Sequence, residues 1–500
     1  MNSFELAKAM HIAGQVKEAA QSYRRILESD PQYVPAINML GHALFDLGEF
    51  EAALEEYRRI LRIEPDFEAV QYSLGNVLFK LGYLEEASDA YRRAIDKEPD
   101  FSNAHFNLGN VYLDLSRAEE AIEAYEKVLA LTPDNQSALF NLGKALTMLQ
   151  RDDEAFLAFE KVINHNPDFL PAYSEMGHTQ LQMGAPDEAL AHFQKAIQLD
   201  PECDSEHFNL AMTELMLGHH PEAERAFRLA LELNPENARY YECLGRVLID
   251  QDHRDEAIDV LKQWIEQEPE SARAKHLIAA WSGVDIPTKA PVEYIIEEFD
   301  HQAAEYERTL ARVKYLAPIL INEALRRENM PMDGSACIVD LGCGTGLISP
   351  LLQPMASELV GVDLSKPMLE QARRRRQYDE LVNEELVSYL QGQTRRFDLI
   401  VSADTFVYFG LLEEVFAASM QSLRPGGRMV FTTELLDDMD EQATYRLNPT
   451  GRFSHTEAYI SRALEACGFE VVDRRVGFLR LEGHAGVNGL IVVARCPEEA

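Results

Sequence analysis

The sequence predicts two architectures in one chain: an all-α superhelix of paired helices, then an α/β domain built on a mostly parallel sheet. Two observations carry this. Over the first half, residue types recur every thirty-four positions without a slip. Over the second, short apolar runs alternate with amphipathic stretches, the pattern of βαβ units.

The period is read from four columns. Prolines stand at every thirty-fourth position from Pro31 to Pro269. Small residues keep the same step from Ala7 through Gly41 to Gly245, and alanines from Ala19 to Ala257. The fourth column is Tyr23, Tyr57, Tyr91, Tyr125, Phe159, Phe193 and Phe227, closed by Leu261. Proline cannot continue a helix, so it ends each unit. The small residues let the two helices of a unit cross closely, and the aromatic fills the groove between repeats. No unit buries its apolar stripe alone, so the stack is the stable object. This is the tetratricopeptide pattern, eight times over residues 1–271.

Charge is uneven. The chain has a net charge of −37. Residues 1–271 hold 23 Lys+Arg against 50 Asp+Glu, a balance of −27, and residues 272–500 hold 24 against 34, a balance of −10. An acidic array repels nucleic acid and anionic lipid and attracts a basic or neutral partner. No stretch approaches the ~20 apolar residues of a membrane span, and the opening residues lack a signal-peptide pattern. Six scattered cysteines show no zinc or redox spacing, so no metal is expected and a cytoplasmic location is.

After Ser271 the repeat fades, and the Gly/Pro punctuation near Gly283 and Pro291 marks residues 272–290 as a linker. Helical patterns at 292–306 and 311–329 follow. The run Ala336–Asp340 leads into Leu341-Gly342-Cys343-Gly344-Thr345-Gly346. Three glycines at alternate positions after a strand-end acid make a tight turn of bare backbone, with a helix N-terminus just behind it. A dinucleotide fingerprint needs a third glycine where Leu347 stands, which argues against a nicotinamide or flavin site. The next run ends in Asp363, placed to accept hydrogen bonds from both ribose hydroxyls of a nucleoside. Leu364 and Met368 follow, and Met368 can lie against an adenine face.

The pair Asp-Leu-Gly-Cys-Gly-Thr-Gly and Val-Asp-Leu-Ser-Lys-Pro-Met-Leu resembles the class I S-adenosylmethionine-dependent methyltransferases, and residues 291–500 are covered by the resemblance. It implies S-adenosylmethionine as cofactor, held by Asp340, Gly342, Cys343, Gly344, Gly346, Asp363, Leu364 and Met368. It also implies an adenine contact from Glu384 or Glu385, with Glu385 preferred, and a place for Asp404 beside the sulfonium. The whole chain is similar to the bacterial methyltransferases that carry tetratricopeptide repeats, through Glu293–Asp300, Val407–Gly410 and Tyr445–His455. Tyr306-Glu307 stands where that group has Phe-Asp.

Asp404, His455 and Tyr408 are the catalytic candidates. His455 is the candidate general base, since an imidazole titrates near neutrality. Tyr408 and Tyr445 are candidates to line the acceptor pocket. Asp404-Thr-Phe-Val lacks the prolines of the amide and nucleobase N-methylation motif. In the array, Asn107, Asn141 and Asn209 share one position of the first helix. They resemble the asparagine ladder of O-linked N-acetylglucosamine transferase, which implies a protein or peptide held by its backbone. The expected function is therefore a methyltransferase whose solenoid recruits a protein or peptide. The alternative is a small-molecule or glycan methyltransferase whose repeats serve assembly.

Overall fold

The computed structural model describes residues 3–65, 67, 70–437, 444–482 and 485–498. It divides into compact units at 1–234 and 235–500, so the eighth repeat belongs with the α/β domain rather than with the other seven.

The first unit is a superhelix of seven helix pairs, from Ser3–Ile12 with Val16–Ser29 to Asp204–Met216 with His220–Leu233. Each second helix stops two residues before its column's proline, as Ser29 does before Pro31 and Leu233 before Pro235. The column alanines from Ala19 to Ala223 have no exposed surface. In the second to sixth pairs, from Gly41 to Gly177, the ring lies on the glycine of its own pair. A Cβ on Gly41 would come within 2.5 Å of Tyr57, and one on Gly109 within 2.6 Å of Tyr125. The small column exists to admit that ring.

A second set of contacts joins neighbouring repeats. His42 Nε2 meets Ser73 Oγ at 3.0 Å. One repeat further, Asn107 Nδ2 donates to Asn76 Oδ1 at 2.9 Å, and then Asn141 Nδ2 donates to Asn110 Oδ1 at 2.9 Å. Tyr91 and Tyr125 donate their hydroxyls to the same two acceptors. Two of the three candidate partner-binding asparagines therefore brace the stack. Asn209 Nδ2 reaches Glu206 Oε2 in its own helix, at 3.4 Å.

The second unit opens with the eighth pair, Ala238–Asp250 and Arg254–Gln267. Where a linker is expected, residues 272–282 form another helix, Ala272–Ser282, which Ser271 caps and left-handed Gly283 ends. It supplies what the aromatic column lacks in this repeat. Leu261 is too short to cover Gly245, and the Trp281 ring covers it instead, 2.6 Å from where a Cβ would stand. Helices Val292–Gln302, Tyr306–Arg312 and Ala317–Arg327 lead to the sheet.

Among the described residues nine strands form one sheet: β1 (Ala336–Leu341), β2 (Ala356–Asp363), β3 (Glu380–Asn383), β4 (Phe397–Ser402), β5 (Leu423–Leu435), β6 (Tyr445–Leu447), β7 (Phe453–His455), β8 (Glu470–Glu482) and β9 (Ala485–Arg495). The parallel order β3-β2-β1-β4-β5 is flanked by β9, antiparallel to β5, and then β8. The β6–β7 hairpin joins the last two residues of β5. Every residue of β1 is buried, as a strand covered on both faces requires. The order reverses at β1 and β4, and ligands of such sheets sit above the strand ends at that crevice.

Candidate functional site

The C-terminal ends of β1, β2, β3 and β4 open on a cleft. Gly342, Gly344, Asp363, Leu364, Met368, Glu384, Glu385, Asp404 and Tyr408 line it.

The glycine turn is dictated by its surroundings. Gly342 has φ +72°, and a Cβ there would run into the Thr405 side chain, whose hydroxyl donates to Leu341 O at 3.1 Å. Gly346 has φ +78° and lies under the Tyr378 ring. Gly344, at φ +53° with open space before it, donates its N–H to Asp363 Oδ2 at 2.8 Å. The other oxygen of Asp363 accepts from Ser365 N–H at 2.9 Å. Burial raises the Asp363 carboxyl and these amides oppose it.

Asp340 lies behind the turn, fully buried and outside the lining. Tyr378 donates to its Oδ2 at 2.6 Å, while Oδ1 is buried without a partner. Burial pushes this carboxyl up to about 7, with Asp363 adding to the rise. Folded protein thus holds a proton here that unfolded protein releases near the ordinary value of 3.8. The stability Asp340 contributes is fully present below that value and is lost as pH rises through about 7. Asp340→Asn is expected to flatten this slope. Denaturant melts of both proteins between pH 4 and pH 8 test it, and parallel curves would show that Asp340 does not titrate there.

The other predicted residues are distributed as follows. Cys343 is buried with its thiol against β2 near Gly361, so only its backbone belongs to the turn. Met368 sits in the first turn of helix Lys366–Arg375, capped by Ser365. Glu385 caps helix Leu386–Gln391, accepting from Ser388 N–H at 2.9 Å, and Glu384 stands beside it on the lining.

Asp404 takes a left-handed φ of +58°, a conformation that non-glycine residues adopt at functional turns. Its N–H donates to Thr432 Oγ1 at 2.8 Å. Arg480 of β8 donates to both its carboxylate oxygens, at 3.1 and 2.9 Å, and also to Glu434. Tyr408 lines the cleft; burial raises its phenol, and the charge of Arg452 opposes that rise. Phe299 meets Tyr306 at 5.8 Å and Tyr408 at 5.7 Å, both edge-on. These three rings and Asp404 line the same cleft as Asp363.

His455 is not available as a base. It has no exposed surface and is absent from the cleft lining. Its Nε2 donates to Gly410 O at 3.1 Å and its Nδ1 accepts from Thr433 Oγ1 at 2.8 Å. Burial pushes the imidazole down to about 4. Both nitrogens are engaged, and the ring pins β7 to β5 and to the loop after β4. Tyr445 packs over Gly410 and Phe453, outside the cleft lining.

Residues 299–474 match the family model described as a methyltransferase domain. Tetratricopeptide models match 41–82, 72–135, 106–169, 171–203 and 215–280. The chain is a tetratricopeptide-repeat protein with a methyltransferase domain. It is 30% identical over 146 residues to the malonyl-(acyl-carrier protein) O-methyltransferase of Priestia megaterium, covering 27% of this chain and 50% of that one. It is 26% identical over 119 residues to the mitochondrial ubiquinone biosynthesis O-methyltransferase of Candida albicans, covering 22% and 36%. The chain thus spans half the length of these relatives or less. Among solved structures it is similar to the C-terminal part of a TPR repeat-containing protein from Cytophaga hutchinsonii. That likeness has 18% identity and a TM-score of 0.43, over 48% of this chain and 99% of that one.

The methyltransferase domain also uses residues that sequence reasoning did not assign: Lys289, Ile295, Phe299, Thr405 and Phe409 line the cleft. Phe299 lies in the Glu293–Asp300 segment that carries the resemblance, so its signal was present without a role attached. Arg480 had none, since its partner Asp404 lies 76 residues away. Among the described residues no cluster of His, Cys, Asp and Glu suits a metal ion, and no helix is long and apolar enough to cross a membrane.

Proposed function

We propose that the domain transfers the methyl group of S-adenosylmethionine to an acceptor recruited by the repeats. The observation that carries this is the convergence on one cleft of Asp363, the bare backbone of Gly342–Gly344, and the Phe299–Tyr306–Tyr408 enclosure with Asp404. S-adenosylmethionine supplies an already activated methyl group on a sulfonium. What the chain must add is alignment and exclusion of water. In this reading Asp363 accepts the ribose hydroxyls, Met368 and Glu384 or Glu385 meet the adenine, and the glycine turn lets the methionine portion approach. The aromatic faces and Asp404 favour the cation at the far end. Tyr408, beside Arg452, orients the acceptor.

Asp363→Ala is expected to weaken S-adenosylmethionine binding roughly tenfold to a hundredfold, since hydrogen bonds to a charged group are worth about 1.5–3 kcal/mol. The same change frees the Gly344 and Ser365 amides, so Asp363→Asn is expected to lose less. Calorimetry checks both, and unchanged affinity would put the ribose elsewhere.

The array recruits a protein or peptide along the face bearing Asn107, Asn141 and Asn209. Because two of those amides brace repeats, recognition rests on the whole face and its acidity. A second reading, a small-molecule acceptor, draws support from relatives named for ubiquinone biosynthesis. Incubating full-length protein and labelled S-adenosylmethionine with lysate separates them. Label in protein supports recruitment, label only in small molecules supports the second reading, and no incorporation with no cofactor binding overturns both.

A further inference from the structure

Between β6 and β7 the chain makes a tight turn, Asn448–Arg452, in which Asn448 N–H donates to Arg452 O at 2.8 Å and Gly451 N–H to Asn448 O at 2.9 Å. Helix Ala272–Ser282, which follows the eighth repeat, grips this turn twice. His276 Nε2 donates to Gly451 O at 2.8 Å, and Trp281 Nε1 donates to Pro449 O at 2.9 Å. The space is fitted: Gly451 has φ +83°, and a Cβ there would stand 2.5 Å from the Tyr294 hydroxyl. On its other side the helix is fixed to the repeat, where Arg273 pairs with Glu242 at 2.5 Å and Trp281 lies on Gly245.

The first residue of the turn reaches the cleft through hydrogen-bonded charges. Asn448 Nδ2 donates to Glu434 Oε2 at 3.2 Å. The other oxygen of Glu434 accepts from Arg480, and Arg480 donates to both oxygens of Asp404, at 3.1 and 2.9 Å. Asp404 lines the cleft. Thr432 and Glu434 stand two positions apart on β5 and so point to one face of the strand. Thr432 accepts the Asp404 N–H at 2.8 Å, while Glu434 anchors the guanidinium that holds the Asp404 carboxylate. A left-handed backbone at a non-glycine residue lasts only where its surroundings over-determine it. These contacts fix Asp404 at both its amide and its carboxylate.

We propose that Arg480 is a positioning residue for Asp404, and that the helix after the eighth repeat sets Arg480 by holding Asn448 against Glu434. Glu434 is the pivot. Its carboxylate can only accept, and one oxygen takes Asn448 while the other takes Arg480. Glu434 and Arg480 are 4% and 3% exposed, so an oxygen that loses Asn448 draws on Arg480 before it draws on water. Arg480 then turns from Asp404, and the cleft changes shape. The last repeat thereby sets one wall of the cleft. That Asp404 faces a sulfonium rests on the proposed function; its place in this chain of hydrogen bonds does not.

The test uses full-length protein with isotopically labelled aspartate nitrogen, read by NMR, the Asp404 amide being assigned by its loss in Asp404→Asn. Arg480→Lys keeps a cation without the planar fork and is expected to move the Asp404 resonance. Asn448→Ala and Trp281→Phe are expected to move it as well, Trp281→Phe by less. If they act along one chain, the Asn448→Ala/Trp281→Phe double variant moves it no further than Asn448→Ala alone, whereas independent packing losses add. An unmoved resonance in Arg480→Lys overturns the positioning role. An unmoved resonance in Trp281→Phe, or additive shifts in the double variant, overturns the link to the repeat; His276→Leu takes the place of Trp281→Phe if that variant does not fold. Calorimetry reads the proposed function separately, because S-adenosylmethionine is a cation at sulfur and S-adenosylhomocysteine is neutral there. Arg480→Lys is expected to lose roughly tenfold in affinity for the first and less than about twofold for the second. Equal losses for both, with the Asp404 resonance displaced, would keep the positioning role and remove the sulfonium from Asp404.

Discussion

Arg480→Met is expected to cost about 3–5 kcal/mol of stability, the range for removing one partner of a buried ion pair. The Arg480 side chain is 4% exposed, and its partners Asp404 and Glu434 are 13% and 5% exposed. Without it, two carboxylates stay buried with Arg452 as a nearby cation. Burial already raises the Glu434 carboxyl even with Arg480 in place. The variant should therefore regain stability at low pH, where Glu434 is protonated, and lose it as pH rises through that carboxyl's folded titration. Denaturant titrations at pH 5 and pH 8 measure both effects. Cofactor binding should fall as well, since Asp404 lines the cleft and Arg480 holds both its oxygens. A variant as stable as wild type at pH 8 would mean that water reaches this cluster.

What could be read from the sequence follows from how far each interaction reaches along the chain. The repeat is legible because one solution, a ring on a small residue sixteen positions earlier, recurs from unit to unit, as Tyr57 on Gly41 does. The glycine turn and Asp363 were legible because each is a local device at a strand end. The remaining features are set by distant partners. His455 has the residue type of a base, but Gly410 and Thr433, 45 and 22 residues away, occupy both nitrogens. The asparagine column was found, yet its partners Asn76 and Asn110 lie in a different column, 31 residues before Asn107 and Asn141. Helix Ala272–Ser282 falls where the repeat fades and Gly/Pro punctuation follows, so the sequence reads as linker there, while the contacts that order it are distant. Its partners are Gly245 on one side and Pro449, 168 residues on, on the other.

The largest effect is expected from where the chain is cut. A protein beginning at residue 291, the boundary that the Gly/Pro punctuation indicates, loses Arg273, His276 and Trp281 together. Tyr294, 2% exposed, and Phe453, 0% exposed, would lose His276, the ring packed beside both. The carbonyls of Pro449 and Gly451 would lose their donors. Deleting one buried aromatic side chain costs about 3–5 kcal/mol, and a domain has only about 5–15 kcal/mol in all. Residues 291–500 are therefore expected to be largely unfolded or aggregated at 37 °C. A protein beginning at residue 235 keeps the eighth repeat and every one of these contacts, and should melt cooperatively and bind S-adenosylhomocysteine as the full chain does. Thermal melts and calorimetry on the three lengths check this. If the two short proteins melt together, the eighth repeat is attached to the methyltransferase domain without being part of it. If only the longer one folds, the enzyme begins inside the repeat array, and the last repeat cannot be exchanged without altering the turn that carries Arg452.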